Sequence, residues 1–327
     1  MVEAIDRLVA GLQRLGYYAS GIARHAVPAS WYSRWRDEIM VGLGNSPDVD
    51  LLFERANYYN RLTPGTLPLP QVPLSKIDRS RSRYFLDFDQ YLRFFERDLR
   101  VDYIYGDVTT IPDKAAIVKS RPVGGDNQNS VLLNLDKFRH FRTFRDGISW
   151  DQKIPKVVWR GSLNNPLRRA LVARHADSPF ADVGHVGEVK EGLSPRPFLS
   201  PADQLSFRYI LSIEGFDVAT NLKWIMASGS VCLMPQSRFE TWFMEGRLTP
   251  GHHFVAVRDD FADLEEKIDM LESSPDLAAE IVRNANAYFA SFRDRRIERL
   301  VSLLVLQKYF EATDQLAPGP LSHRFFA

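Results

Sequence analysis

The chain has 327 residues, of which 45% are hydrophobic and 25% charged, a composition typical of a globular protein with two domains. Its 42 basic and 41 acidic residues nearly cancel, which argues against a protein that coats nucleic acid, because such proteins carry a clear basic excess. The one cysteine, Cys232, excludes a disulfide within the chain, and the charges within residues 1–16 argue against a signal peptide or membrane span there. We therefore expect a cytoplasmic protein.

The first hundred residues predict helices and irregular segments. Apolar residues recur at helical spacing from Ile5 to Leu15, a proline-rich loop follows at residues 62–73, and a charged helix is predicted over residues 87–97. Strands are predicted at residues 101–105 and 115–118, and a short basic helix at residues 137–145. A change of pattern near residue 150 predicts a boundary between an N-terminal domain, 1–150, and a C-terminal domain, 151–327.

Beyond that boundary strands and helices alternate. Strands are predicted at residues 156–159, 181–186, 209–213, 231–234 and 253–257, and helices at residues 166–174, 218–228 and 261–271. Alternation of this kind predicts an α/β fold with a parallel sheet covered by helices. Residues 275–314 predict two or three terminal helices, which could pack back on the N-terminal domain.

Residues 211–231 carry the clearest signal for a ligand. They predict a strand, a turn at Gly215, a helix that begins near Asp217, a second glycine turn and a new strand, a geometry that aims backbone N–H groups at an anion. The glycines could also serve only as turns, because neither a Gly-x-Gly-x-x-Gly nor a Walker pattern is present. The residues predicted to contact a diphosphate here are Gly215, Val218, Ala219, Thr220, Asn221 and Lys223.

A second candidate for phosphate binding follows the strand at residues 156–159. Arg160, Gly161 and Ser162 lead into a helix that contains Arg168. A planar guanidinium can make two charge-assisted hydrogen bonds to a phosphate, although an arginine near a helix start can equally be solvated or structural.

Several carboxylates and cations directly follow predicted strands. Asp107 lies just beyond residues 101–105, where it could act as a general base or cap a turn. Lys119 and Arg121 follow the next strand, and Glu240 could accept hydrogen bonds from sugar or ribose hydroxyls or begin a helix. We assign Lys119, Arg121 and Glu240 to sugar or ribose binding.

Two short Asp-x-Asp patterns occur, at residues 48–50 and 87–89. One class of transferases uses this pattern to hold a divalent metal on a nucleotide sugar. Neither pair follows a convincing strand, and Asp87 and Asp89 are also typical of a helix start. We therefore predict no metal ligands.

Together the motifs resemble glycosyltransferase family 90, which includes bacterial lipopolysaccharide-modifying transferases, fungal capsule xylosyltransferases and animal protein O-glucosyltransferases. The resemblance spans about residues 102–309 and rests on Trp159-Arg160-Gly161-Ser162, on residues 211–231 and on residues 240–257. The bacterial lipopolysaccharide branch is the most similar, notably through residues 105–108, 119–122 and 219–224.

The resemblance implies a GT-B architecture, with two Rossmann-like domains facing across a cleft, C-terminal helices and a UDP-sugar held by the C-terminal domain. It implies transfer with inversion, without a metal or another cofactor. Asp107 matches the catalytic base of the animal members' Asp-x-x-x-Val-Pro context, with Ile111 in place of valine. Asn221 stands where those members carry an arginine, so Lys223, Arg168 or another basic residue would have to neutralise more of the diphosphate charge.

The predicted function is the transfer of a sugar from a UDP-sugar to a glycan or lipid-linked oligosaccharide acceptor, as in lipopolysaccharide synthesis. A peripheral contact with the inner membrane surface, through Arg139, Arg142 and Arg145, would fit such an acceptor, although these residues could also form a solvated helix face. Two alternatives stay open: a metal-dependent Asp-x-Asp transferase, and a catalytically silent protein that binds a nucleotide or carbohydrate.

Overall fold

The computed structural model describes residues 2–65, 67–190 and 192–326, and for residues 2–10, 13 and 29 it describes the backbone alone. The helices are α1 (Val2–Ala23), α2 (Ala29–Leu43), α3 (Val49–Tyr59), α4 (Ser82–Leu92), α5 (Lys137–His140), α6 (Pro166–His175), α7 (Pro201–Gln204), α8 (Leu222–Met226), α9 (Leu264–Glu272), α10 (Pro275–Ala290) and α11 (Arg295–Ala312). The strands are β1 (Val72–Pro73), β2 (Arg100–Val101), β3 (Tyr103–Ile104), β4 (Ala116–Val118), β5 (Ser120–Pro122), β6 (Ser130–Leu132), β7 (Ile154–Gly161), β8 (Ala181–His185), β9 (Phe207–Leu211), β10 (Val231–Met234), β11 (Phe239–Thr241) and β12 (Val255–Ala256).

The chain divides into two compact units. Unit 1 comprises Met1–Arg121, Gly125–Arg139 and Arg295–Ala327, and unit 2 comprises Pro122–Gly124 and His140–Asp294. The longer part of unit 2 therefore begins at His140 rather than near residue 150. Helix α11 lies in unit 1, although it comes last in the sequence.

Unit 1 contains a three-stranded sheet in the order β3-β4-β6, and both of its pairings are parallel. Strands β4 and β6 are buried along their whole length, because Ile117, Val118 and Val131 place apolar side chains on both faces. The predicted strands at residues 101–105 and 115–118 are thus confirmed. Strands β1 and β2 form a separate antiparallel pair.

Helix α11 fastens the sheet of unit 1. The hydroxyl of the buried Tyr309 donates to the carbonyl oxygen of Ala115 at 3.0 Å and accepts from the N–H of Asp102 at 3.1 Å, so it joins the segments beside β3 and β4. Further along, Arg55 of α3 pairs with Glu298 of α11 at 2.6 Å. The sheet and α3 therefore depend for part of their packing on residues of α11 that come 194 to 243 positions later in the sequence.

Unit 2 contains a five-stranded sheet in the order β12-β10-β9-β7-β8, and its pairings are all parallel. Apolar residues of helices α6, α9 and α10 share one core with alternate residues of the sheet, such as Tyr209, Leu211 and Leu233. Cys232 is buried in β10, as the apolar run around it predicted. The predicted α/β fold with parallel sheets is confirmed.

Three predicted helices differ from the structure. The helix expected at residues 87–97 is α4, which ends at Leu92 because Phe94 and Phe95 turn back to bond Tyr91 and Leu92. The helix expected at residues 137–145 is limited to α5 (Lys137–His140), because Phe141 and Phe144 turn toward the aromatic rings of Phe243 and Trp224. Arg139, Arg142 and Arg145 therefore do not share a helix face.

The third difference concerns the ligand-binding segment. Helix α8 (Leu222–Met226) is much shorter than the predicted helix at residues 218–228, and residues 216–221 form turns. The amide group of Asn221 donates to the carbonyl oxygen of Leu211 at 2.9 Å, and its oxygen accepts from Ser212 at 3.2 Å. These bonds tie Asn221 back to the end of β9, so the chain cannot enter a helix until Leu222.

Among the described residues, none of the helices is both long and apolar enough to cross a lipid bilayer.

We expect Tyr309→Phe to lower the free energy of unfolding by about 1–3 kcal/mol, because it removes two hydrogen bonds from a buried site. Urea titration followed by circular dichroism measures the change. Tyr18→Phe is the control, because the Tyr18 hydroxyl makes a longer, exposed contact with Ser82 at 3.4 Å and should change stability by less than about 0.5 kcal/mol. Equal effects of the two changes would contradict the role given to Tyr309.

Candidate active site

Three ionisable residues follow the carboxyl ends of the parallel strands in unit 1. Asp107 comes after β3, Lys119 directly after β4, and Asp136 shortly after β6. Because parallel strands end at the same edge of a sheet, these residues meet there, and that edge is where open α/β sheets bind their ligands. The structure thus brings Asp107 and Lys119 together, with Asp136 nearby.

Asp107 is held in place by the two residues that follow β4. The Lys119 ammonium, whose side chain is 2% exposed, donates to Oδ1 of Asp107, whose side chain is 29% exposed. The Ser120 hydroxyl accepts from the N–H of Val108 at 3.0 Å and donates to its carbonyl oxygen at 3.1 Å. The carboxylate is therefore oriented by a buried cation while part of it stays open to solvent.

The chain reaches Asp107 through a strained turn at Gly106. This glycine has a φ of 114°, a conformation that residues with a side chain rarely adopt. A Cβ atom at this position would lie 2.9 Å from Nη1 of Arg81, which donates to the carbonyl oxygen of Tyr105 at 3.2 Å. Glycine is thus required both for the turn and for the close approach of Arg81.

A cavity of about 420 Å³ opens beside Asp107. It is lined by residues from the start of α4, from the turn at Gly106 and from the segment after β6: Ser80, Arg81, Ser82, Arg83, Tyr84, Gly106, Asp107, Asp136 and Arg139. A partly exposed carboxylate in the wall of such a cavity is suited to take a proton from a bound hydroxyl group.

In unit 2 the predicted diphosphate segment also lies at the carboxyl edge of its sheet. Ser162 follows β7, Glu214 follows β9, and residues 235–237 follow β10. A narrow pocket at this edge is lined by Leu167, Ser212, Glu214, Val218, Ala219, Leu222, Met234, Pro235, Gln236, Ser237 and Glu245. Val218 and Ala219, which the sequence assigned to the diphosphate, are thus pocket residues, and Thr220 follows them in the same turn.

Arg168 braces this edge. Its guanidinium donates to the carbonyl oxygens of Glu214 at 3.0 Å, Ile213 at 2.8 Å and Ser162 at 3.2 Å. Burial lowers the pKa of Arg168 to about 10, so the side chain stays charged at neutral pH. A Cβ atom on Gly215 would lie 3.2 Å from Nη2 of Arg168, so the glycine lets the guanidinium pack against the turn. Arg168 thereby links the ends of β7 and β9, and little of its donor capacity is left for a phosphate.

Arg160 is engaged in a similar way, on the β8 side of the sheet. Its guanidinium donates to Oδ1 and to the carbonyl oxygen of Asp182, both at 2.7 Å, and to the carbonyl oxygen of Pro197 at 2.9 Å. The adjacent Gly161 is required because a Cβ atom there would lie 2.6 Å from the ring of Trp159. Both residues therefore shape the end of β7.

Lys223 lies in the interior of unit 2. Its fully buried ammonium donates to Oε1 of Glu245, which is itself buried and also accepts from the N–H of Thr241 at 2.6 Å. The pair joins α8 to the segment after β11. Diphosphate binding by Lys223 stays a prediction, and in this geometry the lysine acts through Glu245, which lines the pocket.

Two residues assigned to sugar or ribose binding are fully buried. Arg121 donates to the carbonyl oxygens of Tyr58 at 2.8 Å and Tyr59 at 3.2 Å, so it caps the end of α3. Glu240 has no exposed surface within β11. Their assignment to a sugar stays a prediction, and the contacts of Arg121 favour a structural role.

Both Asp-x-Asp pairs are held by cations. Asp48 and Asp50, at the start of α3, pair with Arg296 at 2.9 Å and Arg324 at 2.7 Å. Asp87 pairs with Lys137 at 3.4 Å, and Asp89 pairs with Arg93. Asp87 and Asp89 lie within α4 and are buried, so the prediction that they begin a helix is wrong. Within the part of the chain that the structure describes, no three His, Cys, Asp or Glu side chains cluster as metal ligands would.

Sequence reasoning missed Glu214, Ser120 and Asp136. Glu214 comes directly before Gly215, and its position after a buried strand was a usable signal. Burial raises the pKa of Glu214 to about 7. The backbone N–H groups of Arg238 and Phe239, which donate to its carboxylate at 2.9 and 3.1 Å, act in the opposite direction and lower the pKa, but burial has the larger effect. Asp136 belongs to no sequence motif, because its partners Arg83 and Arg139 lie on two different segments.

Comparison with known proteins gives a consistent result. The model of the family described as Glycosyl transferase family 90 matches residues 135–310. The O-glucosyltransferase LpsA of Dichelobacter nodosus is 44% identical over 260 residues, which cover 78% of this chain and 81% of that protein.

Animal relatives are more distant. Protein O-glucosyltransferase 3 of Rattus norvegicus is 24% identical over 172 residues, which cover 50% of this chain and 34% of that protein. Protein O-glucosyltransferase 1 of Rattus norvegicus is 22% identical over 147 residues, 42% of this chain and 37% of that protein. The chain thus spans about a third of the length of these animal proteins.

We expect the stability of the protein to fall as pH rises from 4.5 to 7, in part because of Glu214. Its pKa is higher in the folded state than in the unfolded state, so the folded protein retains a proton there that the unfolded chain releases. Glu214→Gln removes this loss, and we expect the variant to exceed the parent protein by about 1–3 kcal/mol at pH 8 and by much less at pH 5.

Urea unfolding at the two pH values measures the difference. Glu280→Gln, on the exposed surface of α10, is the control and should leave the pH dependence unchanged. Parallel pH profiles for the parent protein and Glu214→Gln would contradict the prediction.

Proposed function

Because the chain belongs to glycosyl transferase family 90 and is a glycosyltransferase, we propose that it moves a sugar from a UDP-sugar onto a hydroxyl group of a glycan acceptor. The observation that carries the proposal is the oriented, partly exposed carboxylate of Asp107 in the wall of a cavity in unit 1. UDP-glucose is the first donor to test, because relatives from a bacterium and from an animal are named O-glucosyltransferases.

In the proposed reaction Asp107 acts as the general base. Its carboxylate takes the proton of the acceptor hydroxyl while that oxygen forms a bond to the anomeric carbon of the donor sugar. The bond from this carbon to the UDP oxygen breaks at the same time, and its electron pair stays on the diphosphate. Attack from the face opposite the leaving group inverts the anomeric carbon. Lys119 orients the carboxylate, and Ser120 fixes the backbone next to it.

The proposed donor site is the pocket at the carboxyl edge of the sheet in unit 2. Val218 and Ala219, which line the pocket, would let backbone N–H groups approach the diphosphate, and Ser162, after β7, would add a hydroxyl donor. Gly215 would shape the turn, because its own N–H already donates to the carbonyl oxygen of Asp217 at 2.9 Å. Arg168 and Arg160 would act mainly by fixing the ends of β7 and β9, because their guanidinium groups already bond backbone carbonyls. Charge that grows on the departing UDP would be stabilised by donors already in place.

Units 1 and 2 would then be the acceptor and donor domains of a GT-B enzyme. The acceptor would be a surface glycan such as lipopolysaccharide, which the resemblance to the bacterial branch supports. Contact with a membrane surface stays a prediction, and no helix face formed by Arg139, Arg142 and Arg145 supports it.

We expect Asp107→Asn to reduce kcat by about 10²–10⁴-fold while UDP-sugar binding is unchanged, because the amide cannot accept the proton. Asparagine keeps an oxygen that can accept from Lys119, so the fold should be preserved. Turnover with UDP-glucose and thermal shift with UDP measure the two effects.

Asp113→Asn is the matched control, since Asp113 is exposed in the same loop between β3 and β4. It should leave kcat unchanged. Near-normal turnover by Asp107→Asn would remove Asp107 from the reaction.

We expect transfer to continue unchanged in excess EDTA. The carboxylates of both Asp-x-Asp pairs are engaged by arginine or lysine, so neither pair is arranged to bind a divalent ion on the donor. Initial rates before chelation, after chelation and after addition of Mg²⁺ or Mn²⁺ provide the test. Loss of activity that either ion restores would favour a metal-dependent transferase.

A further inference from the structure

The cavity beside Asp107 is unusually rich in arginine. Arg81 precedes α4, Arg83 lies in its first turn, and Arg139 lies in α5. All three arginines line this one cavity. The side chains of Arg83 and Arg139 are 43% and 47% exposed, which leaves their guanidinium groups accessible to a ligand. The proposed reaction uses none of the three.

Asp136 forms ion pairs with two of these arginines, Arg83 and Arg139. It is fully buried with a φ of 56°, and its carboxylate lies 3.5 Å from Arg83 and 3.9 Å from Arg139. Among the described residues its oxygens accept no hydrogen bond. A buried aspartate that lacks hydrogen bonds is costly, and this one lies beside two guanidinium groups that belong to residues lining the cavity.

The start of α4 adds to the positive field. Its first residues line the cavity, and no side chain caps the helix. The first N–H groups of an eleven-residue helix have no acceptor within it, and the positive end of the helix dipole favours an anion there. Arg81 lies next to this turn and is held over Gly106 by the carbonyl oxygen of Tyr105.

The charges that line the cavity do not cancel. The lining residues include three arginines and two aspartates. Lys119 neutralises Asp107, so Asp136 is the one lining carboxylate left to balance the three arginines. Asp78 lies close to Arg81 but is not part of the lining, and its carboxylate accepts from the N–H and hydroxyl of Ser80 at 2.8 and 2.7 Å. A positive excess remains beside the proposed base.

We propose that this cavity binds an anionic substituent, a phosphate or a carboxylate, carried by the acceptor glycan next to the hydroxyl group that reacts. The inference rests on the proposed role of Asp107: the residue that deprotonates the acceptor lies in the wall of the cavity, so the cavity holds the acceptor. Planar guanidinium groups match the paired oxygens of both anions. The enzyme would thus select acidic acceptors over neutral ones.

Binding to small probes tests the inference without turnover. The probes are glucose 6-phosphate, glucuronate, glucose and inorganic phosphate, and the measurement is the shift of the melting temperature with ligand concentration. We expect at least one of the two acidic sugars to bind, glucose to bind far more weakly, and inorganic phosphate to bind more weakly than that acidic sugar. Inorganic phosphate that binds as tightly as the acidic sugars would overturn the inference, because the site would then recognise an anion and no sugar.

Variants locate the binding. Arg81→Gln should weaken binding of the acidic sugar by about tenfold, because it removes a charged donor without disturbing Asp136. Arg83→Gln should weaken binding to the same extent. Because Arg83→Gln removes a charge beside the buried Asp136, Arg83→Lys, which keeps that charge, serves as the control for unfolding. Arg97→Gln is the matched control and should leave binding of the acidic sugar unchanged. Arg97 pairs with the buried Asp89 at 3.9 Å, the distance at which Arg139 pairs with Asp136, but Arg97 does not line the cavity.

Two further outcomes separate this inference from the proposed function. Competition between UDP-glucose and glucose 6-phosphate would place the anion in the donor site and overturn the inference. In transfer assays we expect the arginine variants to raise the KM of an acidic acceptor and to leave the KM of UDP-glucose unchanged. Equal KM values for an acceptor and its phosphatase-treated or carboxyl-reduced form would overturn the inference while transfer itself continued.

Discussion

Parallel pairing of strands carries every strand's carboxyl end to the same edge of its sheet, and both candidate sites depend on that constraint. In unit 1 it brings together Asp107, Lys119 and Asp136 from three separate segments. In unit 2 it brings Glu214 together with the residues that follow β10, and Arg168 joins Glu214 to Ser162. Strands such as β4, β6 and β10 are buried on both faces, so the polar chemistry at these edges falls to the few residues after each strand.

Buried ion pairs hold these edges in shape. Lys119 meets Asp107 in unit 1, and Lys223 meets Glu245 in unit 2. A third pair, Lys153 and Asp146 at 2.9 Å, lies at the opposite edge of the sheet in unit 2, before β7 and β10, and its carboxylate also accepts from the N–H of Gly229 at 2.8 Å. Removing water from such charges is costly, and the cost is offset only when hydrogen bonds fix the geometry. The positions of the site residues are therefore rigidly specified.

The sequence predicted the order of strands and helices in unit 2 and the location of Asp107, because buried strands and the polar residues after them leave a local pattern. It did not predict the work of Arg168 or Arg160, since their acceptors are carbonyl oxygens of Ile213, Glu214 and Pro197, far away along the chain. For the same reason the sequence predicted Lys223 as a phosphate ligand, because it follows a glycine turn. Its partner Glu245 lies 22 residues later and could not be inferred from the local pattern. The length of α8 also escaped prediction, because a single side chain, Asn221, ends the preceding turns by bonding Leu211.

Unit 1 is built from distant parts of the chain, since α11 packs on α3 and Tyr309 joins the segments beside β3 and β4. During synthesis nearly all of unit 2 leaves the ribosome before α11 does, and domains generally fold as units while the chain emerges. The pocket of unit 2 can thus form on the nascent chain, whereas the carboxylate of Asp107 reaches its final setting only after the last helix arrives. A chain that stops before residue 295 would retain the residues that line the pocket of unit 2 but lack the helix that completes unit 1. Such a fragment would keep one candidate site and lose the setting of the other.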